Sequence, residues 1–403
     1  MALPVQQEQQ EQYQENSRER SSSSWHERSI KNKRHSSAPP PQRKTTTRTG
    51  PDAHQQQKHL NTSQRHDSAA TTTPVVGAAS SPLSTDGNAG GPLGFPVPTF
   101  SPALKVVDND SFTLISRTTG RSWRAIKSCR DCQFGEVLRA VELSSETAAP
   151  PAYFAIKELS LDKLREMQGR TKEDPMREVA ALQYLPRHPN VLTCTEALWD
   201  EESIFIVTPF YSGGEVFDVL AEKGRFEECE ARQLFRQVLH SLLHLKRHGV
   251  CHRDVSLENL LLAEGGVVKL VDFGLALRIP QTADGRARIL PAQGPCGKPY
   301  YMAPEVVASS CSSGFDGFAV DVWACGILLF AMLTGVVPFE LALPSQDQRF
   351  ELVAVQERLA ELLSAWNIPL SSEVTGLIQS CLLYAPERRP SLEMLLNHDW
   401  VIA

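Results

Sequence analysis

The chain has 403 residues, enough for two lobes or domains with cores of their own. Its formal net charge of −6 argues against nucleic acid as a partner. The nine cysteines are odd in number and all lie beyond residue 128, and the start, Met1-Ala2-Leu3-Pro4-Val5-Gln6-Gln7, carries no apolar signal segment. Free thiols in a reducing compartment are therefore predicted, which means an intracellular, cytoplasmic protein. Ala2 leaves no glycine for N-myristoylation. The longest uncharged apolar run, Val322 to Leu333, suits a buried helix better than a membrane span.

Residues 1–110 read as a low-complexity tail: glutamine clusters first, then Ser, Thr, Pro and basic residues, then Gly and Pro. Such a segment buries too little apolar surface to offset its ordering entropy and is predicted to be disordered. Its first 100 residues hold 11 Lys+Arg against 8 Asp+Glu, so a mildly basic tail precedes an acidic body. It reads either as a solvated spacer or as a segment that captures a partner. Lys31-Asn32-Lys33-Arg34 has the composition of a nuclear address. Ser21–Ser23, Ser36, Ser37, Ser81 and Ser101 are candidate phosphoacceptors.

A folded domain is expected over residues 111–403. Strands are predicted at Val137–Leu143, Tyr153–Lys157 and Ser203–Val207 from their β-branched and apolar content. A helix starts at Asp174-Pro175, with Asp as cap and Pro in first position. Helical periodicity dominates after Ser212-Gly213-Gly214, where Leu234, Val238, Leu242 and Leu245 share a face. Strands first and helices later give an α+β chain.

Cys251-His252-Arg253-Asp254-Val255-Ser256-Leu257-Glu258-Asn259 follows that helical stretch, and the strand-like Val267–Val271 then delivers Asp272-Phe273-Gly274, 18 residues after Asp254. Two carboxylates and a carboxamide thus sit on loops at strand ends. The set suits metal-assisted phosphoryl transfer. Asp254 would orient an incoming hydroxyl, and Asn259 and Asp272 would hold Mg²⁺ against nucleotide phosphates. At this spacing the two motifs resemble the catalytic core of eukaryotic Ser/Thr protein kinases. Further matches are Ala155-Ile156-Lys157, Gly297–Glu305 with its Ala303-Pro304-Glu305, and Pro386–Pro390. The stretches Ser212–Phe217 and His398-Asp399-Trp400 are most similar to the calcium/calmodulin-dependent kinase-like group. Too few residues follow to supply that group's autoinhibitory segment.

The resemblance implies a bilobal kinase fold, with a small N-terminal β-sheet lobe carrying one helix and a larger, mainly helical C-terminal lobe. It implies ATP and Mg²⁺ as cofactors and proteins as substrates. Lys157 would meet the α- and β-phosphates, held by Glu178. Phe134, Gly135, Val137, Ala155, Thr208, Tyr211, Glu215 and Leu261 would line the nucleotide. Glu305 would pair with Arg389, and Asp321 would hold the His252-Arg253 backbone. Glu215 and Glu258 match positions that meet arginines upstream of the phosphoacceptor, whereas a third such position is Ala331.

Three departures stand out. Of three loop glycines only Gly135 remains, and Arg130 and Cys132 occupy the other two positions. Cys129-x-x-Cys132 has no second Cys/His pair, which argues against zinc. Between Asp272 and Glu305 the only Ser or Thr is Thr282, so Arg253 is expected to meet an acidic side chain such as Asp284, or to stay unpaired, rather than to clamp a phosphate. Finally, Ser256 stands where relatives carry a catalytic-loop Lys, and Lys298 where they carry a Thr. The exchange suggests that Lys298 supplies the missing cation beside Asp254 and Ser256 the hydroxyl. An active kinase and a non-catalytic pseudokinase scaffold both remain open on these grounds. A kinase acting on small molecules is disfavoured by the Ala303-Pro304-Glu305 segment.

Overall fold

A computed structural model describes residues 94–109, 111–143, 151–279, 290, 294–308, 314–344 and 346–403. The chain divides into two units, Met1–Asp86 and Gly87–Ala403, and every described residue falls in the second. The low-complexity stretch up to residue 93, with its basic cluster, lies outside the described residues.

The N-terminal part is a sheet of seven strands: β1 (Ser101–Asp108), β2 (Ser111–Ser116), β3 (Ser122–Cys132), β4 (Gly135–Glu142), β5 (Tyr153–Ser160), β6 (Glu196–Trp199) and β7 (Ser203–Pro209). They run in the order β1-β2-β3-β4-β5-β7-β6. All neighbours are antiparallel except for a two-residue parallel contact of β1 with β6. β1 lies within the stretch expected to be unstructured, so the domain starts before residue 111. Its inward Ala103 is small, and its exposed residues obscure the alternation that marks a strand in sequence.

Alternation divides the central strands into two faces. Leu138, Phe154, Ile156, Phe205 and Val207 join Trp123 and Leu114 in one apolar cluster. The opposite face carries Val137, Ala155, Lys157 and Thr208, which lie directly across from one another through the pairs Val137↔Lys157 and Ala155↔Thr208. Two helices follow β5 where one was expected. The first, α1 (Leu161–Met167), fully buries only Leu161, with Leu164 and Met167 half-buried against the same cluster. The second, α2 (Pro175–Tyr184), begins as predicted: Asp174 accepts from the Met176 N–H at 2.9 Å, and Pro175 occupies the first turn.

The C-terminal part is mainly helical. It contains α3 (Val216–Lys223), α4 (Glu228–Arg247), α5 (Gly317–Thr334), α6 (Leu359–Ala365), α7 (Ser372–Cys381), α8 (Leu392–Leu396) and α9 (Asp399–Ile402). The short pairs β8 (Val250–Cys251) with β11 (Leu277–Arg278), and β9 (Leu260–Ala263) with β10 (Val267–Leu270), carry its loops. On α4 the buried stripe runs through Phe235, Val238, Leu239 and Leu242, with Leu234 at its half-buried edge.

By composition α5 is apolar enough to span a membrane, but all of it except Phe318 and Ala319 is buried inside the domain. Arg389 closes this core, as expected, through a bidentate pair with Glu305 at 2.6 and 2.8 Å. The guanidinium also stacks 4.9 Å from the Trp323 ring. Trp400 of α9 donates to Glu228 at 2.7 Å, which ties the C-terminal helix to the start of α4.

The surviving loop glycine has a packing reason. A Cβ on Gly135 would stand 1.9 Å from the Glu158 carbonyl oxygen of the neighbouring strand. No rotamer relieves a clash with backbone, so Gly135→Ala should destabilise the protein by about 3 kcal/mol. The loss should appear as a lower denaturant midpoint at unchanged slope. A wild-type midpoint would show that this close strand approach is not required.

Candidate active site

The candidate site is assembled on α5. From within this apolar helix the Asp321 carboxylate accepts the His252 and Arg253 backbone N–H groups, each at 2.8 Å. Burial pushes its carboxyl up to about 7, and the two N–H groups pull the other way. The backbone held there is unusual, with Arg253 at φ 69°, a left-handed conformation that branched or long side chains seldom adopt. It turns Asp254 out of the loop. His252 packs edge-on against Phe273 at 5.0 Å and contacts the Val271 carbonyl at 3.1 Å, which links this loop to the Asp-Phe-Gly turn.

Groups from two separate loops converge on Asp254. The Asn259 amide donates to Oδ2 at 2.7 Å and to the Asp254 carbonyl at 2.8 Å. The Lys298 ammonium lies 3.0 Å from Oδ2, and its backbone N–H 3.2 Å from Oδ1. Gly297 makes this approach possible. It sits at φ 89°, and a Cβ there would press against the Arg253 carbonyl at 3.0 Å and Asp254 Oδ1 at 3.3 Å. Lys298 therefore stands within ion-pair reach of Asp254. Ser256 does not complete the exchange expected of it. It is fully buried, and its hydroxyl has no hydrogen-bond partner among the described residues.

On the sheet side, Lys157 Nζ pairs with Glu178 Oε2 at 2.6 Å, both mostly buried. Burial alone would lower the Lys157 pKa, but Glu178 and then Asp272 outweigh it, so the ammonium is held charged above its ordinary range. Asp272 takes φ 65°, and its Oδ1 accepts from the Gly274 N–H at 3.2 Å. The Gly274 carbonyl is gripped by the Asp174 N–H at 3.1 Å and by Arg177 Nη1 at 3.0 Å. Glu173, at the foot of α2, packs against Gly274. Burial first, and the Asp272 charge next, raise its carboxyl. Sequence reasoning missed both Glu173 and the grip of Arg177, because neither belongs to a recognisable motif.

The residues fit an Mg²⁺–nucleotide. Asn259 spends its amide hydrogens on Asp254, which leaves its side-chain carbonyl oxygen and the Asp272 carboxylate as oxygen donors. Such hard oxygen donors suit Mg²⁺. The two replaced glycines do not fill the phosphate position. Cys132 packs against the apolar cluster of Leu159, Val179 and Ile206, and Arg130 reaches out to Glu215 in an ion pair. Thr208 is buried behind Ala155. The link after β7 lies on β9, with the Gly213 N–H 3.0 Å from the Leu262 carbonyl and Glu215 bridged to Leu261.

One residue of the expected nucleotide set is placed differently. Phe134 is only 2% exposed and belongs to the cluster with Leu159 and Val179, because an apolar ring at a hairpin tip gains more in the gap beside α2 than over phosphate. The Tyr211 ring lies 5.4 Å from the Lys269 ammonium. Arg253 contacts Cys296 Sγ and stacks 5.3 Å from Phe315. Thr282 and Asp284 lie outside the described residues. No group of three or more His, Cys, Asp or Glu suited to a metal occurs among the described residues, Cys129 and Cys132 included.

Comparison with known proteins agrees with this geometry. Residues 131–401 match the protein kinase domain family. The chain is 35% identical over 241 residues to CBL-interacting protein kinase 31 of Oryza sativa subsp. japonica, covering 60% of this chain and 50% of that protein. It is 35% identical over 235 residues to CBL-interacting serine/threonine-protein kinase 24 of Arabidopsis thaliana, covering 58% and 48%. It is 34% identical over 269 residues to the rice CBL-interacting protein kinase 1, covering 66% and 53%. The chain thus spans about half the length of the curated relatives it matches. With the family matched over most of its length, this chain belongs to the protein kinase domain family.

Proposed function

We propose that the chain is a catalytically active kinase that transfers the γ-phosphoryl group of ATP to Ser or Thr of protein substrates. The observation that carries this reading is the convergence on Asp254: one carboxylate, oriented by the Asn259 amide and neutralised by the Lys298 ammonium, on a loop whose backbone Asp321 fixes. A substrate hydroxyl placed against Asp254 is oriented for in-line attack and hands its proton toward the carboxylate. Lys157, positioned by Glu178, holds the nucleotide's phosphates. Lys298 adds positive charge where the transferred group develops negative charge. Mg²⁺, held by Asn259 and Asp272, would bridge and neutralise the phosphates when bound.

The alternative, a pseudokinase scaffold, draws on Arg130 and Cys132. It is weakened by the outward course of one side chain and the core packing of the other. Substrates are proposed to be basic on the N-terminal side of the acceptor. Glu215 and Glu258 supply the carboxylates, and Glu258 Oε2 is buried without a hydrogen-bond partner among the described residues, which favours an incoming cation. Ala331 is buried inside α5 and offers no third acidic contact.

Asp254→Asn should retain Mg-ATP binding, read by nucleotide-dependent thermal shift, and lose about 10²–10⁴ in kcat for radiolabelled phosphate transfer to a basic protein, with Asp272→Ala as the inactive control. More than about a tenth of wild-type turnover in the Asn variant, a loss far smaller than general-base removal gives, would sink the assignment. Lys298→Met should lower kcat by about 10-fold or more, since a charge contact at the transferred group is worth that much or more. A kinetically silent Lys298→Met would remove Lys298 from the catalytic set.

A further inference from the structure

The ion pair between Arg130 and Glu215 joins parts of the chain 85 positions apart. Arg130 lies on β3, two residues before the strand ends at Cys132 and directly across from Val137, which in turn faces Lys157. Cross-strand partners share a face, so the Arg130 side chain leaves the sheet on the same face as Lys157. A register shift between Ser128 and Arg130 marks a bulge just before it, a device that re-aims a side chain. Below, Glu215 stands at the start of α3 and makes no cap hydrogen bond of its own, so its carboxylate is free to face Arg130.

The neighbourhood of Glu215 is acidic on one side and catalytic on the other. Its carboxyl is raised by burial, then lowered by Arg130, and it feels Asp218, Glu258 and Lys298 in turn. Lys298 itself touches Asp254. Glu215 and Glu258 therefore form a cation-seeking seat next to the reacting carboxylate, and a guanidinium of the chain's own already sits on it. That guanidinium is weakly held. Arg130 is 61% exposed against 20% for Glu215, and exposed ion pairs contribute little.

We propose that Arg130 is a specificity-determining residue: it occupies the carboxylate that a cationic side chain of the substrate would use, and must be displaced before an upstream arginine can bind. This rests on the kinase reading for the identity of the incoming cation. It implies that the preference for arginine is muted by the chain itself, because substrate and Arg130 compete for one carboxylate. The replaced loop glycine thereby acquires a role in substrate choice rather than in phosphate binding.

The test uses the full-length chain and two synthetic peptides that differ only in Arg or Ala three residues before the acceptor Ser. Binding of each is measured by fluorescence anisotropy for wild type, Arg130→Ala, Arg130→Gln, Glu215→Gln and the Arg130→Ala/Glu215→Gln double variant. Both Arg130 variants should tighten the Arg peptide by about two- to five-fold, the range expected for releasing an exposed pair, and leave the Ala peptide unchanged. The gain should vanish in the double variant. Equal tightening of both peptides, or no tightening of the Arg peptide in either Arg130 variant, would overturn the proposal. The kinase reading fails separately, through absence of phosphate transfer by wild type, and that result leaves the binding comparison to decide the role of Arg130.

Discussion

A single buried carboxylate organises the catalytic half of this molecule. Asp321 sits on a helix that is otherwise apolar all round, where an ion would normally be expelled or neutralised. It is kept there by two backbone N–H groups, and those belong to the residues immediately before Asp254. The most deeply buried helix among the described residues, α5, thus reaches directly into the loop that carries Asp254. His252 carries the same constraint onward to Phe273, and so to the turn bearing Asp272. Removing the Asp321 carboxylate would free both N–H groups in a buried place, at a cost of one to three kcal/mol or so for each unsatisfied group.

The second anchor works from the sheet. Lys157 and Glu178 join β5 to α2, and Arg177, next to Glu178, takes hold of the Gly274 carbonyl. The helix therefore touches the lysine on one side and the Asp-Phe-Gly turn on the other, and the two halves of the site are positioned by neighbouring residues of one helix. Gly297 does the same for the late activation segment, since only a residue without a side chain lets Lys298 approach the catalytic carboxylate with both its N–H and its ammonium.

Much of this was legible in the sequence where local chemistry and tertiary demand coincide. The Asp174-Pro175 start of α2 follows from residues whose type permits few alternatives, whereas the pairs Lys157–Glu178 and Glu305–Arg389 and the support of His252-Arg253 by Asp321 were expected from the resemblance to protein kinases. The unread parts have physical causes. The outer face of β1 carries exposed Leu104 and Val106 while its inner face buries only the small Ala103, so the alternation that marks a strand is lost and the sequence places β1 in the tail. The hairpin tip Phe134 reads as a loop residue until the gap beside Val179 is known. Ser256 and Lys298 looked like a trade between two loops, yet only the lysine reaches Asp254, while the buried serine hydroxyl has no hydrogen-bond partner among the described residues. The alliance of Arg130 with Glu215 had no sequence signal, because two charged residues 85 positions apart carry no mark of adjacency.

The left-handed backbone at Arg253 and Asp272 has a further consequence, for how variants of this protein accumulate. Strained dihedrals at non-glycine residues cost about 1–3 kcal/mol each and persist only where the surroundings enforce them. Replacing Asp272 by glycine relieves that strain, and at the same stroke removes a proposed metal ligand. The inert chain is thereby expected to be the sturdier one. A population of variants sorted only for solubility or abundance would drift toward silence at this position, and a cell holding the inactive form would hold more of it.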